Sequence, residues 1–410
     1  MGIFNKIWKK DVKNATTFTL DDVNALSFLG ITEDSSWDIT YFTCLKTLCE
    51  IMGKLDIKKY KIDSIKGKER VYDEELNYLL NIEPNPYYTA STLKQSIELQ
   101  RNHYGNSYAY IERERGKIKH LWVLPSSEVS TWYDNAGILG KKNAIWYVWQ
   151  DGRSGKQYTF NMKEIIHLKS SITWDGIVGK AIKDIIATNI DTAKYGQDYL
   201  NKLYKGNMQS SKILLQYTGN LDTKGQKELI QQMENFSTNV GTGTFLPLPL
   251  GLSAVPLGNK LVDTEFSVLR QANALQIASA FGIPPNFLND LTKSSYANSI
   301  TQQQSLMINT MQPIFTAYGQ EYTRKLIPFR EKGKTILEVD TKALFKLNPI
   351  EQMEVLQKGS QSFAFTVNEM REELGLPYLN DEKANIPIGN GNAISLDLVG
   401  SQYTSSKGGE

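Results

Sequence analysis

The chain has 410 residues, enough for two or three domains with cores of their own; 40% are hydrophobic and the mean hydropathy is −0.37, which fits a soluble folded protein. Its 46 Lys and Arg face 44 Asp and Glu, a net charge of +2 that excludes a broad basic face for coating nucleic acid. Any contact with DNA must therefore be local or weak.

Residues 1–36 read as an N-terminal arm, basic at first, with Lys6, Lys9, Lys10 and Lys13 set around Ile3, Phe4, Ile7 and Trp8. The opening Met1-Gly2-Ile3-Phe4-Asn5-Lys6 lacks the Ser or Thr that myristoylation requires, and no apolar leader core follows it. The expectation is an intracellular protein without a membrane address. From 37 to 178 the pattern is mixed α/β. Helices are predicted over Ile39 to Leu55, Asp73 to Asn81, and from Thr89 to a stop at Gly105, the last with Leu93, Ile97 and Tyr104 on one side. Cys44 and Cys49 lie in the first of these and read as two buried thiols. Strands follow. Ser107 to Arg113 and Ile118 to Leu124 flank Arg115-Gly116 as a hairpin, and Ala144 to Trp149 and Lys156 to Phe160 flank the turn signal Asp151-Gly152. Trp122, Trp132, Trp146, Trp149 and Trp174 fall in this half, where a packed sheet accounts for them better than a base-stacking platform.

Gly179 to Tyr204 reads as one helix about 39 Å long, striped by Ile182, Ile185, Ile186, Ile190, Ala193, Leu200 and Leu203 and ended by Gly206. A small insert comes next, with a strand at Lys212 to Tyr217, a helix from the Thr223–Gln226 capping box to Phe236, and the proline-bearing stretch Thr244 to Leu257. A second helix, Asp263 to Phe281, stops at Gly282-Ile283-Pro284-Pro285. After a short loop, a long helix runs from Ser295 to Ile327. Thr335 to Val339 is a strand expected to return to the first domain's sheet. Helices then start at Asn348, with Pro349 in first position, and at Thr366, with Glu369 in capping-box spacing. The segment 383–410 reads as a flexible tail.

The search for chemistry finds little. His103, His120 and His167 have no carboxylate or cysteine at metal-ligand spacing, so neither a metal nor a cofactor is expected. The run Gly152-Arg153-Ser154-Gly155-Lys156-Gln157 has the wrong spacing for a phosphate loop and sits between strands. Acidic groups such as Asp73-Glu74-Glu75, Glu112/Glu114 and Glu372-Glu373 read as solvated faces, and no nucleophile elbow is present. What stands out is silence: between Lys293 and Glu321 there is no charged side chain, although charged residues make up 22% of the chain. The stretch is too rich in Ser, Asn and Gln, and too interrupted by Pro313, to span a membrane, so its polar face is expected to meet another protein surface or a ligand that charges would hold too tightly.

Several short motifs occur in a telling order. They are Asn85-Pro86 before a helix, Tyr104-Gly105-Asn106-Ser107-Tyr108-Ala109, Leu121-Trp122-Val123-Leu124-Pro125, and Glu164-Ile165-Ile166-His167-Leu168 leading to Asp175-Gly176-Ile177-Val178-Gly179. Ile277 to Pro285 and Arg371-Glu372-Glu373-Leu374-Gly375-Leu376-Pro377 follow. Through them the chain, from about residue 35 to 382, resembles the portal proteins of tailed double-stranded-DNA bacteriophages, in the compact branch typical of long-tailed phages. It departs at Lys180-Ala181, where the family has Ser-Pro, and at Asn380-Asp381, where it often has Gly-Asp; both bear on local turn geometry.

The resemblance implies an α+β portal-type fold without enzymatic activity. It implies a ring, usually of twelve copies, at one capsid vertex, through which double-stranded DNA enters and leaves. Implied partners are the terminase large subunit, head-completion and adaptor proteins and the major capsid protein, with no membrane. By the same analogy 37–178 is the wing, 179–205 and 261–282 are stem helices, 206–260 the clip, 283–295 the tunnel loop, 296–347 the long wing helix with its returning strand, and 348–382 the crown side. Asn286, Asn289, Asp290, Thr292, Lys293, Ser294 and Ser295 become candidate DNA contacts, and Asn298, Gln302, Gln303, Gln304 and Asn309 candidate subunit-interface residues. Rival readings are another virion ring, such as a head-tail adaptor or capsid component, and a metal-dependent phage nuclease.

Overall fold

The computed structural model describes residues 38–65, 67–139, 142, 144–152, 155–205, 213–217, 227–228, 231, 252–256, 264–288, 296–341, 344 and 349–389. The predicted helix at 223–236 and both termini therefore lie almost wholly outside the described residues. The chain divides into two compact units, Met1–Asp340 and Thr341–Glu410.

The first unit opens with α1 (Ile39–Gly53), whose N-cap Asp38 accepts the N–H groups of Thr40 and Tyr41. Cys44 and Cys49 are both buried in it, and burial raises both thiols well above their usual range. Strands β1 (Ile57–Asp63) and β2 (Gly67–Val71) follow, then α2 (Glu74–Asn81), capped by Asp73, and α3 (Ala90–His103), capped by Thr89. Five more strands complete the aromatic region: β3 (Asn106–Glu114), β4 (Lys117–Leu124), β5 (Val129–Asp134), β6 (Ala144–Gln150) and β7 (Gln157–Asn161), with β8 (Ile165–Lys169) closing it.

These strands form two small antiparallel sheets, β4-β3-β8 and β5-β6-β7. Tyr108, Tyr110, Trp122, Leu124 and Ile165 from the first meet Val129, Tyr147, Trp149 and Phe160 from the second in one core cluster. The other face of β3 carries Ala109 and Ile111, equally buried, and α3 packs on that strand. A strand covered on both faces reads as a continuous apolar run, as Tyr108 to Ile111 does. Two tryptophans depart from the packed-sheet expectation. Trp132 is half exposed on edge strand β5, and Trp174 projects from a loop beyond β8.

The structure breaks the predicted helix 179–204. Helix α4 is a single turn (Ile182–Ile185), Ile186 departs from helical geometry at φ −102° and ψ 16°, and α5 (Ala187–Lys205) continues for about 28 Å. Residues 179–181 are extended because they still pair with the preceding segment: Thr173 bridges Gly179, and the Lys180 N–H donates to the Ile172 carbonyl. Strands β9 (Ile213–Tyr217) and β10 (Leu252–Pro256) pair antiparallel, as a small insert between α5 and α6 (Thr264–Ala280).

A long helix then runs from Tyr296 to Leu326 in three parts. These are α7 (Tyr296–Ser305), a π-helical segment (Leu306–Met311) and α8 (Gln312–Leu326). The returning strand β11 (Thr335–Val339) pairs with β1, making the sheet β11-β1-β2 separate from the aromatic ones. Lysine-rich β1 was not predicted. It is stabilised by pairs from Lys58 to Asp340 and from Lys59 to Asp73 and Glu331. The second unit holds α9 (Pro349–Gln361), β12 (Ser362–Thr366), α10 (Val367–Glu373) and β13 (Pro387–Gly389). Both halves of the Thr366–Glu369 capping box form.

Two of the motifs meet in space. Asn106, at the start of β3, accepts the Gly179 N–H at Oδ1 (2.8 Å) and donates to the Gly179 carbonyl through Nδ2 (2.9 Å). The backbones approach so closely that a Cβ on Gly179 would lie 2.2 Å from the Gly105 carbonyl oxygen, and Gly105 itself has φ +76°. Gly179→Ala should therefore destabilise the first unit by about 3 kcal/mol, since a fixed backbone atom rather than a mobile side chain must move. Thermal unfolding of this variant beside Gly152→Ala, which has no positive φ and whose Cβ would meet only the Glu128 carboxylate at 3.2 Å, isolates the clash, because both introduce the same methyl and only one meets fixed backbone. Equal losses in the two variants would refute it.

Candidate channel-facing site

Helix α6 ends at Gly282, with φ +68°, and the chain enters a single 3-10 turn (Pro285–Leu288). Two contacts hold the root of the loop. The Thr310 hydroxyl donates to the Gly282 carbonyl at 2.6 Å, and the Asn286 N–H donates to Gln302 Oε1 at 3.2 Å. Thr310 leaves no room for a side chain at 282, since a Cβ there would lie 2.5 Å from its Oγ1. Of the predicted loop contacts, Asn286 is thus placed, while Asn289, Asp290, Thr292, Lys293, Ser294 and Ser295 lie outside the described residues.

The predicted interface residues fall on the N-terminal part of the long helix. Asn298 lies on α7, with its side chain outside the description; Gln303 and Gln304 are exposed. Gln302 is engaged within its own chain by Asn286, and exposed Asn309 donates from Nδ2 to Ser305 Oγ one turn back at 3.0 Å.

The two ends of this helix differ physically. In α8 the residues Ile314, Phe315, Tyr318, Gly319, Tyr322, Lys325 and Leu326 are buried. Tyr318 donates to Glu98 at 3.1 Å, Glu321 accepts the His167 N–H at 3.2 Å, and Lys325 donates to the Met162 carbonyl. Thr323 accepts the Leu337 N–H at 2.8 Å, fastening the helix to β11. At the other end, Thr301, Gln303, Gln304 and Ser305 are exposed. The π segment separates the two, and its Gln312 N–H donates five residues back to Met307. Pro313 is the cause: it has no N–H, and in an α-helix its ring would collide with the Asn309 carbonyl, which a wider turn moves aside.

A polar junction ties this region to the helices before it. His103 at the end of α3 lies 2.9 Å from the Tyr41 hydroxyl through Nδ1 and 3.2 Å from Lys183 Nζ through Nε2. Lysine can only donate, so Nε2 accepts and Nδ1–H donates to Tyr41. The Tyr41 ring meets Phe281 edge-on at 5.5 Å, and Lys183 lies over the Tyr104 ring at 4.7 Å. Between α5 and α6, Asn189 donates to Asn273 Oδ1 and Gln276 Oε1 at 2.9 and 2.7 Å, and Asn273 returns a bond to the Asn189 carbonyl. Sequence reasoning missed Thr310, Tyr41, Lys183 and Asn189 as parts of this frame. Gly282 was signalled as a helix stop, and Asn286 and Gln302 as candidate contacts.

Ile277 and Ala278 near the end of α6 are buried, while other described residues of α5 and α6 are open to solvent. Tyr195, Val268 and Leu269 are each more than 60% exposed. Among the described residues no group of three or more His, Cys, Asp or Glu could hold a metal ion, and no helix is long and apolar enough to cross a membrane.

Residues 39–375 match the family model described as phage portal protein. The portal protein of Enterobacteria phage HK97 is 25% identical over 352 residues, covering 83% of this chain and 79% of its own. Two solved structures share the fold. The neck of a native GTA particle, computed with C12 symmetry, aligns with a TM-score of 0.51 at 22% identity, over 83% of this chain and 91% of that one. An HK97 family phage portal protein from Corynebacterium diphtheriae aligns with a TM-score of 0.52 at 14% identity, over 82% and 98%. The class is therefore a structural, non-enzymatic virion component with a mixed α/β fold. The chain belongs to the phage portal protein family, whose model covers it from α1 to the end of α10.

Two histidines, His167 buried and His103 half-buried, give this frame a pH dependence. His167 Nε2–H donates to Asn106 Oδ1 at 3.0 Å, and its Nδ1 lies 3.2 Å from the Tyr147 hydroxyl. Burial, with Lys169, Lys325 and Arg324 adding to it, lowers its pKa to about 3. Burial and Lys183 lower that of His103 to about 4. Both folded values lie below the unfolded histidine value of about 6.5, so between them the unfolded chain binds more protons. Stability should be complete above about pH 6.5 and fall as the pH drops towards 4. Unfolding midpoints at pH 7.5, 6 and 5 should show this slope, and His103→Gln with His167→Gln should flatten it; an unchanged slope would assign the titration to other groups.

Proposed function

We propose that copies of this chain close into a ring, of twelve by analogy with the C12-symmetric neck, at one capsid vertex, as a conduit for double-stranded DNA during packaging and ejection. On this reading 37–178 with 331–347 is the wing, α5 and α6 are stem helices, 206–260 is the clip that docks the terminase large subunit and head-completion proteins, and 348–382 is the crown side. The major capsid protein is a further partner, and the chain depends on a separate ATPase, since the sequence carries no phosphate loop.

The observation that carries the reading is the pairing of an uncharged sequence with an exposed helix half beside a loop fastened at its root. A conduit must touch DNA without holding it, because every phosphate neutralised by Lys or Arg adds salt-dependent affinity that resists movement. From Ile283 to Pro313 the charged side chains are Asp290 and Lys293, which cancel. Hydroxyls and amides there can make brief hydrogen bonds to phosphate oxygens.

Electron microscopy of the purified protein should show rings with a central hole, with twelve subunits expected; a population of monomers at all concentrations would overturn the proposal. Within the ring, Lys293→Ala should leave assembly intact and change packaging rate or DNA retention. Failed assembly of that variant, with normal packaging by the rings that survive, would instead make Lys293 structural.

A further inference from the structure

The loop that joins β8 to α4 holds the most exposed tryptophan among the described residues, Trp174, at 91%. Ile172 is half exposed beside it, and Val178 is partly exposed. Such a residue on a loose loop would mean little, but this loop is bound to itself throughout. Asp175 Oδ1 accepts the N–H groups of Ile177 and Val178 at 2.8 and 2.9 Å, and Thr173 Oγ1 accepts that of Gly176 at 2.9 Å. Those backbone bonds hold the Asp175 carboxyl below its usual pKa range. Lys169 Nζ donates to the Gly176 carbonyl at 2.5 Å, and Ser170 Oγ donates to the carbonyls of Ile172 and Lys180 at 3.1 and 2.7 Å. The base is closed by the Thr173–Gly179 bridge and by the Asn106 clamp on Gly179. The indole is thus presented in one place, with little conformational entropy left to lose on binding.

We propose that Trp174 is a preformed anchor with which one copy of this chain grips the next in the ring. This rests on the ring assembly proposed above. Large aromatic side chains on rigid supports are the residues that dominate protein interfaces. From Lys169 to Asp184 three lysines face two aspartates, but Lys180 pairs with Asp184, Lys183 is turned to His103 and Lys169 to the Gly176 carbonyl, which leaves little cationic field for a phosphate backbone or an anionic lipid surface. Duplex DNA also keeps its base faces stacked inside, so an exposed indole has no ring to meet there. A second copy is the occupant that the C12-symmetric neck of the structural relative places beside every subunit. In a closed ring each copy meets its neighbours through two different surfaces, so an anchor on one side requires an apolar receiving surface on the other.

The test uses the full-length chain. Trp174→Ala, at an exposed position, should unfold at the same temperature as the parent when both are monomeric. It should require about tenfold more protein to reach half-assembly into rings, while Trp174→Phe loses less. Benzoylphenylalanine placed at position 174 should, on irradiation of assembled rings, yield covalent dimers of this chain, and peptide mapping should locate the acceptor on a second copy. If the parent forms rings and Trp174→Ala forms them at the same concentration, the anchor is refuted and the ring reading stands. Crosslinks confined to another virion protein would refute it equally. If the parent forms no ring, the functional reading itself fails.

Discussion

Where the chain leaves β8 it must pass from sheet into helix, and it does so by running its backbone against that of Gly105. The Ser170 N–H donates to the Gly105 carbonyl at 2.8 Å, and Asn106 binds both the N–H and the carbonyl of Gly179. The approach requires two residues without side chains and one amide that can donate and accept at once. Asn106 is buried, and His167 occupies the remaining capacity of its Oδ1, so the site is fully satisfied and correspondingly intolerant of change. The self-bonded loop carrying Trp174, the one-turn α4 with Lys183, and the start of α5 are all placed by where Gly179 is fixed.

The long helix shows how the same chain can be rigid at one end and electrically quiet at the other. Charged groups are concentrated where α8 is buried. Glu98 and Arg101 form a bidentate pair at 2.6 and 2.9 Å that also takes the Tyr318 hydroxyl, and Lys325 and Glu321 reach neighbouring backbone. Buried charges of this kind are costly unless every bond is made, and here they fix orientation more than they add stability. Burial lowers the Lys325 pKa to about 8, the mark of an ammonium held in poorly hydrated surroundings. Beyond the π segment the helix carries no charge at all, and its described side chains are exposed apart from Gln302. Pro313 separates the two regimes, because a π turn interrupts the regular side-chain stacking that would otherwise continue the anchored face.

Much of the architecture was legible because it rests on local rules. Caps at Asp73, Thr89 and Thr366, the stops at Gly105 and Gly282, and the Arg115-Gly116 hairpin were all visible in short stretches of sequence. What escaped was non-local. β1 hides behind lysines whose partners, Glu331 and Asp340, lie far along the chain, and β5 carries tryptophan and tyrosine on an edge. The helix predicted from Gly179 began later than its apolar spacing implied, because a bridge to Thr173 held three residues extended. At the site, Gly282 could be read as a stop, but nothing in the sequence around Thr310 announces that its hydroxyl closes the loop root from a turn 28 residues away. Trp174 was counted with the core on its residue type, and only its setting in a loop shows otherwise.

Symmetry explains why silence, rather than a favourable charge, suits the proposed conduit. In a ring every side chain that faces the axis is repeated once per copy, so one lysine is a circle of cations, and the salt dependence of binding grows in proportion to the phosphates it meets. Affinity that would be modest for a monomer becomes a brake on each step of movement. An uncharged surface escapes this multiplication, and a loop whose Asp290 and Lys293 cancel escapes most of it. The same multiplication favours apolar anchors between copies, because a contact repeated around a closed ring must be broken at two places before any subunit can leave. A chain of this kind therefore gains by keeping its aromatic contacts for its neighbours and its neutral polar ones for the polymer that passes through.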